Sequence, residues 1–155
     1  METTIIRKAN FADLDQLYAF EQELILTERP FDPTLKPGLI HYYDLGAMID
    51  APGILLLVAE LGNRIIASGY GRIEKAKPYL KHPDHVYLGF MFVLPAYRGK
   101  GINQQIIGAL RSWARSKNIT ELRLDVYFEN LAAINAYEKV GFTKHMIEMR
   151  LDVEE

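Results

Sequence analysis

Three apolar stretches follow one another between Ile54 and Leu94, and they constrain this chain more than any other feature. Ile54 to Glu60 is unbroken and apolar, as a buried strand should be. Gly62-Asn63 makes a tight turn into Arg64 to Glu74, which predicts a hairpin. Lys75 to Asp84 is a polar loop with two prolines. His85 to Leu94, rich in β-branched and aromatic residues, is a further strand that stops at Pro95. So many apolar strands need cover, and one mixed sheet with helices on both faces supplies it most simply.

The flanking segments provide those helices. Thr3 to Arg7 predicts a first strand. Asn10 has the character of a helix N-cap, with Asp13 three residues on. From Phe11 onward Leu14, Leu17, Tyr18, Leu24 and Ile25 recur at helical spacing. Pro30, Pro33 and Pro37 break that helix, and a second, short one is expected over Leu39 to Ile49. Gly99 to Lys117 carries Ile102, Ile106, Leu110 and Trp113 on one face. Glu121 to Tyr127 predicts a fifth strand. Asn130 caps a last helix whose Ala133, Ala136, Tyr137 and Val140 share a face, with Gly141 at its C-terminal end. Phe142 to Leu151 completes the expected order β-α-α-β-β-β-α-β-α-β.

Length and composition narrow the functional classes. The 155 residues suit one domain, taken as 1–155. A net charge of −2 gives no basic field for nucleic acid or an anionic membrane. There is no cysteine, which excludes disulfides, a thiol nucleophile and thiolate metal sites. Neither a signal peptide nor a membrane-spanning run is apparent, so a cytoplasmic location is expected. None of the four histidines has a metal-binding spacing, so no metal is expected. No Gly-x-Ser-x-Gly elbow occurs.

The chemistry is concentrated at Val93-Leu94-Pro95-Ala96-Tyr97-Arg98-Gly99-Lys100-Gly101-Ile102-Asn103. A strand ends, a loop with two glycines turns, and an amphipathic helix begins. A helix start carries backbone N–H groups without internal acceptors and a partial positive charge. Arg98 and Lys100 add full charges, so the segment is physically a phosphate cradle. A P-loop needs Ser or Thr after its lysine, but Gly101 follows Lys100. A dinucleotide fingerprint needs a third glycine where Gln104 stands. A pyrophosphate loop and a solvated basic turn both remain.

Val93 to Gly101 resembles the signature of the GCN5-related N-acetyltransferases: Arg or Gln, two residues, Gly, one residue, then Gly or Ala. Arg98 and Gly101 match; Asn103 departs from the usual small residue. Leu124 to Phe142 is similar to a second family segment, with Asn130, Ala133, Tyr137 and Gly141-Phe142 in place. The resemblance implies the mixed α/β fold of that family, with a splayed gap between the fourth and fifth strands. It implies acetyl-CoA as cosubstrate and transfer of its acetyl group to a primary amine of a small molecule or peptide. A non-catalytic acyl-CoA sensor of the same fold is the alternative.

The resemblance also assigns roles. Phe92 and Val93 would offer backbone groups to the pantetheine and thioester. Arg98, Gly99, Lys100, Gly101, Ile102 and Asn103 would hold the pyrophosphate. Asn130, with Ala133, would contact the pantetheine or cap its helix. Tyr137 would protonate the departing thiolate as general acid. The base is open: Val86 to Leu94 holds no carboxylate, and Glu74, Asp125, Glu21 and His85 are the candidates. The acceptor loops are Thr27 to Pro37, with Phe31, His41, Tyr42 and Tyr43 on or after it, and Lys75 to Asp84. A homodimer, frequent in the family, is among the expected assemblies.

Overall fold

The computed structural model describes residues 2–154; Met1 and Glu155, the ends of the expected 1–155 domain, lie outside the described residues. Five strands form one sheet in the order β1-β2-β3-β4-β5: β1 (Ile5–Lys8), β2 (Ile54–Leu61), β3 (Arg64–Lys75), β4 (Asp84–Val93) and β5 (Leu122–Arg123). The first four pair antiparallel, and β4 and β5 run parallel, so the sheet is mixed as expected. The helices are α1 (Leu14–Glu28), α2 (Leu45–Ile49), α3 (Ile102–Ser116) and α4 (Leu131–Val140). The chain divides after Asp125 into two compact units, and α4 lies in the second.

In the first unit, α1 and α3 take opposite faces of the sheet. Ile102, Ile106, Ile107, Leu110 and Ala114 of α3 are buried. They pack where β3 offers glycines: a Cβ on Gly71 would stand 2.8 Å from Val86 Cγ1 and 3.2 Å from Leu110 and Trp113. On the other face Phe20 of α1 meets Phe92 of β4, ring centroids 4.9 Å apart.

The start of α1 is fixed as its sequence suggests. Asn10 Oδ1 accepts from the Ala12 amide at 3.0 Å, and Asp13 Oδ2 accepts from the Asn10 amide at 2.9 Å. Residues 11–13 form a 3-10 turn before the α-helix proper. Asp13 also binds Arg7 of β1 through both oxygens, at 2.8 and 3.0 Å, and Arg7 reaches Glu60 of β2 at 2.8 Å.

Three expected elements differ. The second helix starts at Leu45 rather than Leu39, because residues 40–43 are bound elsewhere. Gln22 donates to the Ile40 carbonyl at 2.9 Å, and Glu21 takes the Tyr42 and Tyr43 amides. The fifth strand is Leu122–Arg123, shorter than Glu121 to Tyr127, since β4 offers it a ladder only at Val86 and Tyr87. Phe142 to Leu151 forms no strand among the described residues. Its apolar side chains, Met146, Ile147, Met149 and Leu151, are exposed. A strand needs a neighbour for its backbone groups, and alternation alone supplies none.

Hydrogen bonds from Arg7 hold the Asp13 carboxyl below its usual value, against the opposing effect of burial. A depressed folded-state value stabilises above the unfolded value and is lost as pH falls through the folded one. Asp13→Asn is therefore expected to cost about 1–3 kcal/mol at pH 7. The deficit should shrink as pH falls below the ordinary carboxylate range, where wild-type Asp13 takes up its proton in turn. Urea unfolding of both proteins across that range checks it.

Candidate functional site

A bulge in β4 creates the site. Ser68 stands opposite Phe92 and Tyr70 opposite Gly89, so Gly69 alone faces both Phe90 and Met91. Glycine is required there: a Cβ on Gly69 would lie 2.6 Å from Met91 Sδ and 2.9 Å from Ile106 Cγ2. Phe90 adopts φ 54°, a left-handed conformation that costs a bulky residue about 1–3 kcal/mol. Its surroundings offset this. The Ser68 hydroxyl donates to the Phe90 carbonyl at 3.0 Å in a buried setting, and the Tyr43 ring packs on Phe90 with centroids 5.1 Å apart.

Beyond the bulge, no strand among the described residues pairs with β4 on its β5 side, since the β4–β5 ladder ends at Tyr87. The Leu94 amide donates to Ile66 at 2.9 Å. Antiparallel alternation then turns the backbone groups of Phe92 towards Ser68 and those of Val93 away from β3. Of the two residues expected to offer backbone groups, Val93 is the one at the open edge. Its carbonyl accepts from Arg98 Nε at 2.8 Å.

A short 3-10 turn, Pro95–Tyr97, carries the chain from β4 to the basic loop. The Arg98 amide is spent on the Pro95 carbonyl at 3.3 Å, so the expected run of donors begins one residue later. Among the described residues, no backbone N–H from Gly99 to Gln104 meets an acceptor; the next to do so is that of Gln105, on Gly101 at 3.1 Å. Gly99 and Gly101 have φ 75° and 79°, which favours glycine, and a Cβ on either would meet nothing within 4 Å. Buried Ile102 anchors the helix start, half-buried Asn103 follows it, and no acidic residue lies in the first turn. Lys100 Nζ sits 5.7 Å from the Tyr97 ring centroid, and the Arg98 guanidinium 5.7 Å from that of Phe92. Unpartnered backbone donors and two cationic side chains thus lie beside an open strand edge, an arrangement whose charge and geometry suit an anion.

The sheet face under α1 carries Tyr70, Arg72 and Glu74 on β3 opposite Gly89, Tyr87 and His85 on β4. Arg72 lies between the rings of Tyr70 and Tyr87, at 5.7 and 5.4 Å. Glu74 accepts from Arg72 at 2.6 and 2.8 Å and lies 3.3 Å from His85 Nε2. Asp125 accepts from the Tyr87 hydroxyl at 3.2 Å. Burial pushes the Tyr87 and Tyr43 phenols well above their usual range; Asp125 adds to the first effect and Tyr70 to the second. Glu21 is fully buried beneath the α1–α2 loop. Beside it lies a depression of about 350 Å³ lined by Tyr18, His41, Tyr43 and Asp44. Among the described residues no cluster of His, Cys, Asp and Glu could hold a metal ion.

In the second unit, Asn130 caps α4: its Oδ1 accepts from the Ala133 amide at 3.3 Å. Gly141 closes the helix at φ 117°. Ile134, not the expected Ala136, is its buried side chain; Ala133, Tyr137 and Val140 are half-buried. The Tyr137 ring meets Phe142 edge-on at 5.8 Å.

Residues 13–142 match the family model described as Acetyltransferase (GNAT) family. The chain belongs to that family. The uncharacterized N-acetyltransferase YobR of Bacillus subtilis is 39% identical over 56% of this chain and 29% of its own length. Aminoglycoside N(6')-acetyltransferase type 1 of Salmonella typhimurium is 33% identical over 50% of this chain and 55% of its own length. The matches thus span about a third and about half of these relatives. A predicted acetyltransferase from Clostridium acetobutylicum, solved with acetyl-CoA, shares the GNAT fold at TM-score 0.75 and 20% identity, covering 98% of this chain and 97% of that one.

Ser68, Gly69, Tyr70, Arg72, Tyr87 and Met91 were not singled out from sequence. Gly69 and Gly89 inside strands were the available signal, because an interior strand glycine marks a bulge or a close approach. Ser68→Ala is expected to leave the Phe90 carbonyl buried without its donor and to cost about 1–3 kcal/mol, read as a lower urea midpoint with unchanged slope.

Proposed function

We propose that this chain transfers the acetyl group of acetyl-CoA to a primary amine by direct attack, as a single cytoplasmic domain spanning 1–155. One observation carries the reading: the unpartnered backbone donors from Gly99 to Gln104 lie next to a strand edge that β5 leaves open beyond Tyr87. The donor run suits a pyrophosphate, and the edge suits the amide-bearing arm attached to it. Gly99, Lys100, Gly101, Ile102 and Asn103 would hold the phosphates, with Lys100 adding charge. Arg98 would act through its side chain, which ties the loop to Val93.

The Val93 amide faces the gap and would polarise the thioester carbonyl as the amine attacks. The Phe92 amide lies in the ladder with Ser68, so Phe92 would serve through its ring, beneath Arg98. Asn130 and Ala133 would set the start of α4 by the cap described above. Tyr137 would give its phenolic proton to the departing sulfur; its support is the sequence pattern from Asn130 to Phe142. The absence of cysteine favours direct attack over an acyl-enzyme. The enzyme names of the relatives favour chemistry over sensing. A homodimer would be compatible with all of this.

The test mixes the protein with acetyl-CoA and panels of amino acids, polyamines, aminoglycosides and peptides with free N-termini, and follows CoA thiol release. Acceptor-dependent release and a higher melting temperature with acetyl-CoA are expected. Tyr137→Phe should lower kcat by about 10²-fold or more and keep the acetyl-CoA stabilisation. No stabilisation and no release with any acceptor would refute the reading.

A further inference from the structure

The proton that the ammonium must lose has no obvious destination on the sheet. No carboxylate follows Asp84 on β4, Glu74 is engaged by Arg72, and Asp125 by Tyr87. The α1–α2 loop offers one. Resting on the acetyl-transfer reading above, we propose that His41 is the general base for the acceptor amine, oriented by Glu21.

Glu21 sits on α1 with its side chain wholly buried. Its Oε2 accepts the Tyr42 and Tyr43 amides, both at 2.9 Å. Its Oε1 lies 2.7 Å from His41 Nδ1, with Gln22 Nε2 at 3.4 Å. An ionised carboxylate only accepts hydrogen bonds, so the ring proton belongs on Nδ1 and the lone pair on Nε2. The imidazole is held in one tautomer, as a carboxylate holds the histidine of a catalytic triad. Tyr18 packs edge-on against the ring at 5.8 Å.

The burial of the pair is asymmetric. Glu21 is inaccessible while the His41 side chain is 53% exposed, so the ring is gripped at its inner edge and open elsewhere. It lines the depression shared with Tyr18, Tyr43 and Asp44. Tyr43 in turn packs on Phe90, the bulged residue of β4. Tyr43 therefore touches both this depression and the bulge of β4, three residues before Val93 in the chain. Tyrosine rings and the Asp44 carboxylate suit a cation, so the acceptor class is an amine that arrives as its ammonium.

Ammonium nitrogen gives one proton to Nε2, and Glu21 faces the imidazolium that forms. The freed lone pair attacks the thioester carbon; the C–N bond forms and the C–S bond breaks. Tyr137 gives its phenolic proton to the departing sulfur to make CoA thiol and recovers a proton from the second nitrogen hydrogen through solvent, and the third remains as the amide N–H. The imidazolium returns its proton to solvent through its exposed side.

Glu21→Gln makes the discriminating variant. Two backbone donors claim the Oε2 position, so the amide oxygen must lie there and the NH₂ must face Nδ1. Nδ1 then becomes the acceptor and Nε2 carries the proton, which removes the base without removing the ring. In full-length protein with ¹⁵N-labelled histidine, the His41 signals, assigned by their absence from His41→Gln, should report Nδ1–H in wild type and Nε2–H in Glu21→Gln. With the best acceptor of the panel, both variants should lose about 10²- to 10⁴-fold in kcat and keep the KM for acetyl-CoA and the thermal shift it causes. A His41→Gln rate within about threefold of wild type, well under the smallest effect of a general base, overturns the proposal while acetyl transfer stands. An Nε2–H tautomer in wild type overturns it with or without turnover. Wild type that neither binds nor consumes acetyl-CoA overturns this proposal and the transfer reading together.

Discussion

The hydrogen bond from Ser68 to the Phe90 carbonyl permits the rest of the site. A left-handed, buried phenylalanine inside a strand is unfavourable unless its displaced backbone groups find partners. Ser68 supplies one, the Tyr43 ring supports the side chain, and Gly69 clears space for Met91. With these in place β4 leaves its regular ladder only after Gly89, while β5 pairs with just Val86 and Tyr87 of its first part. The open edge is thus a property of β3 as much as of β4.

A second buried polar group organises the opposite wall. The Glu21 carboxylate sits deep under the α1–α2 loop and is satisfied there by the backbone of that loop. It does the work that a regular helix would otherwise do, which is why residues 40–43 are irregular and the helix is short. Through Tyr43 this wall leans on Phe90, so the two polar anchors, Ser68 and Glu21, meet at one aromatic contact. Charge placement on the sheet follows the same logic: the Arg72 guanidinium stands over the Tyr70 and Tyr87 rings and pairs with Glu74.

Much of this was legible in sequence wherever local chemistry dictates the outcome. The Asn10 cap, the Gly62-Asn63 hairpin, the apolar stripe of α3 and the Asn130 and Gly141 ends of α4 all stand where their residue types put them. The basic loop was legible too, because its glycines and charges are contiguous. What escaped depends on contacts across the fold. Glu21 stands among the base candidates in the sequence, but its burial escapes there, since only the loop folded over it makes it a core residue. Ser68 and Phe90 are far apart in sequence and unremarkable alone. Leu39 to Ile49 and Phe142 to Leu151 have plausible periodicities, but period does not reveal whether a backbone partner exists.

Arg98 has a further consequence. By engaging the Val93 carbonyl it leaves the neighbouring N–H as the group on offer at that point of the edge. An edge strand normally presents donors and acceptors alternately and will take up another strand indiscriminately. Here the polarity is one-sided. A chain arriving at Val93 must bring a lone pair rather than a proton, so Arg98 of the basic loop also sorts what the edge can pair with.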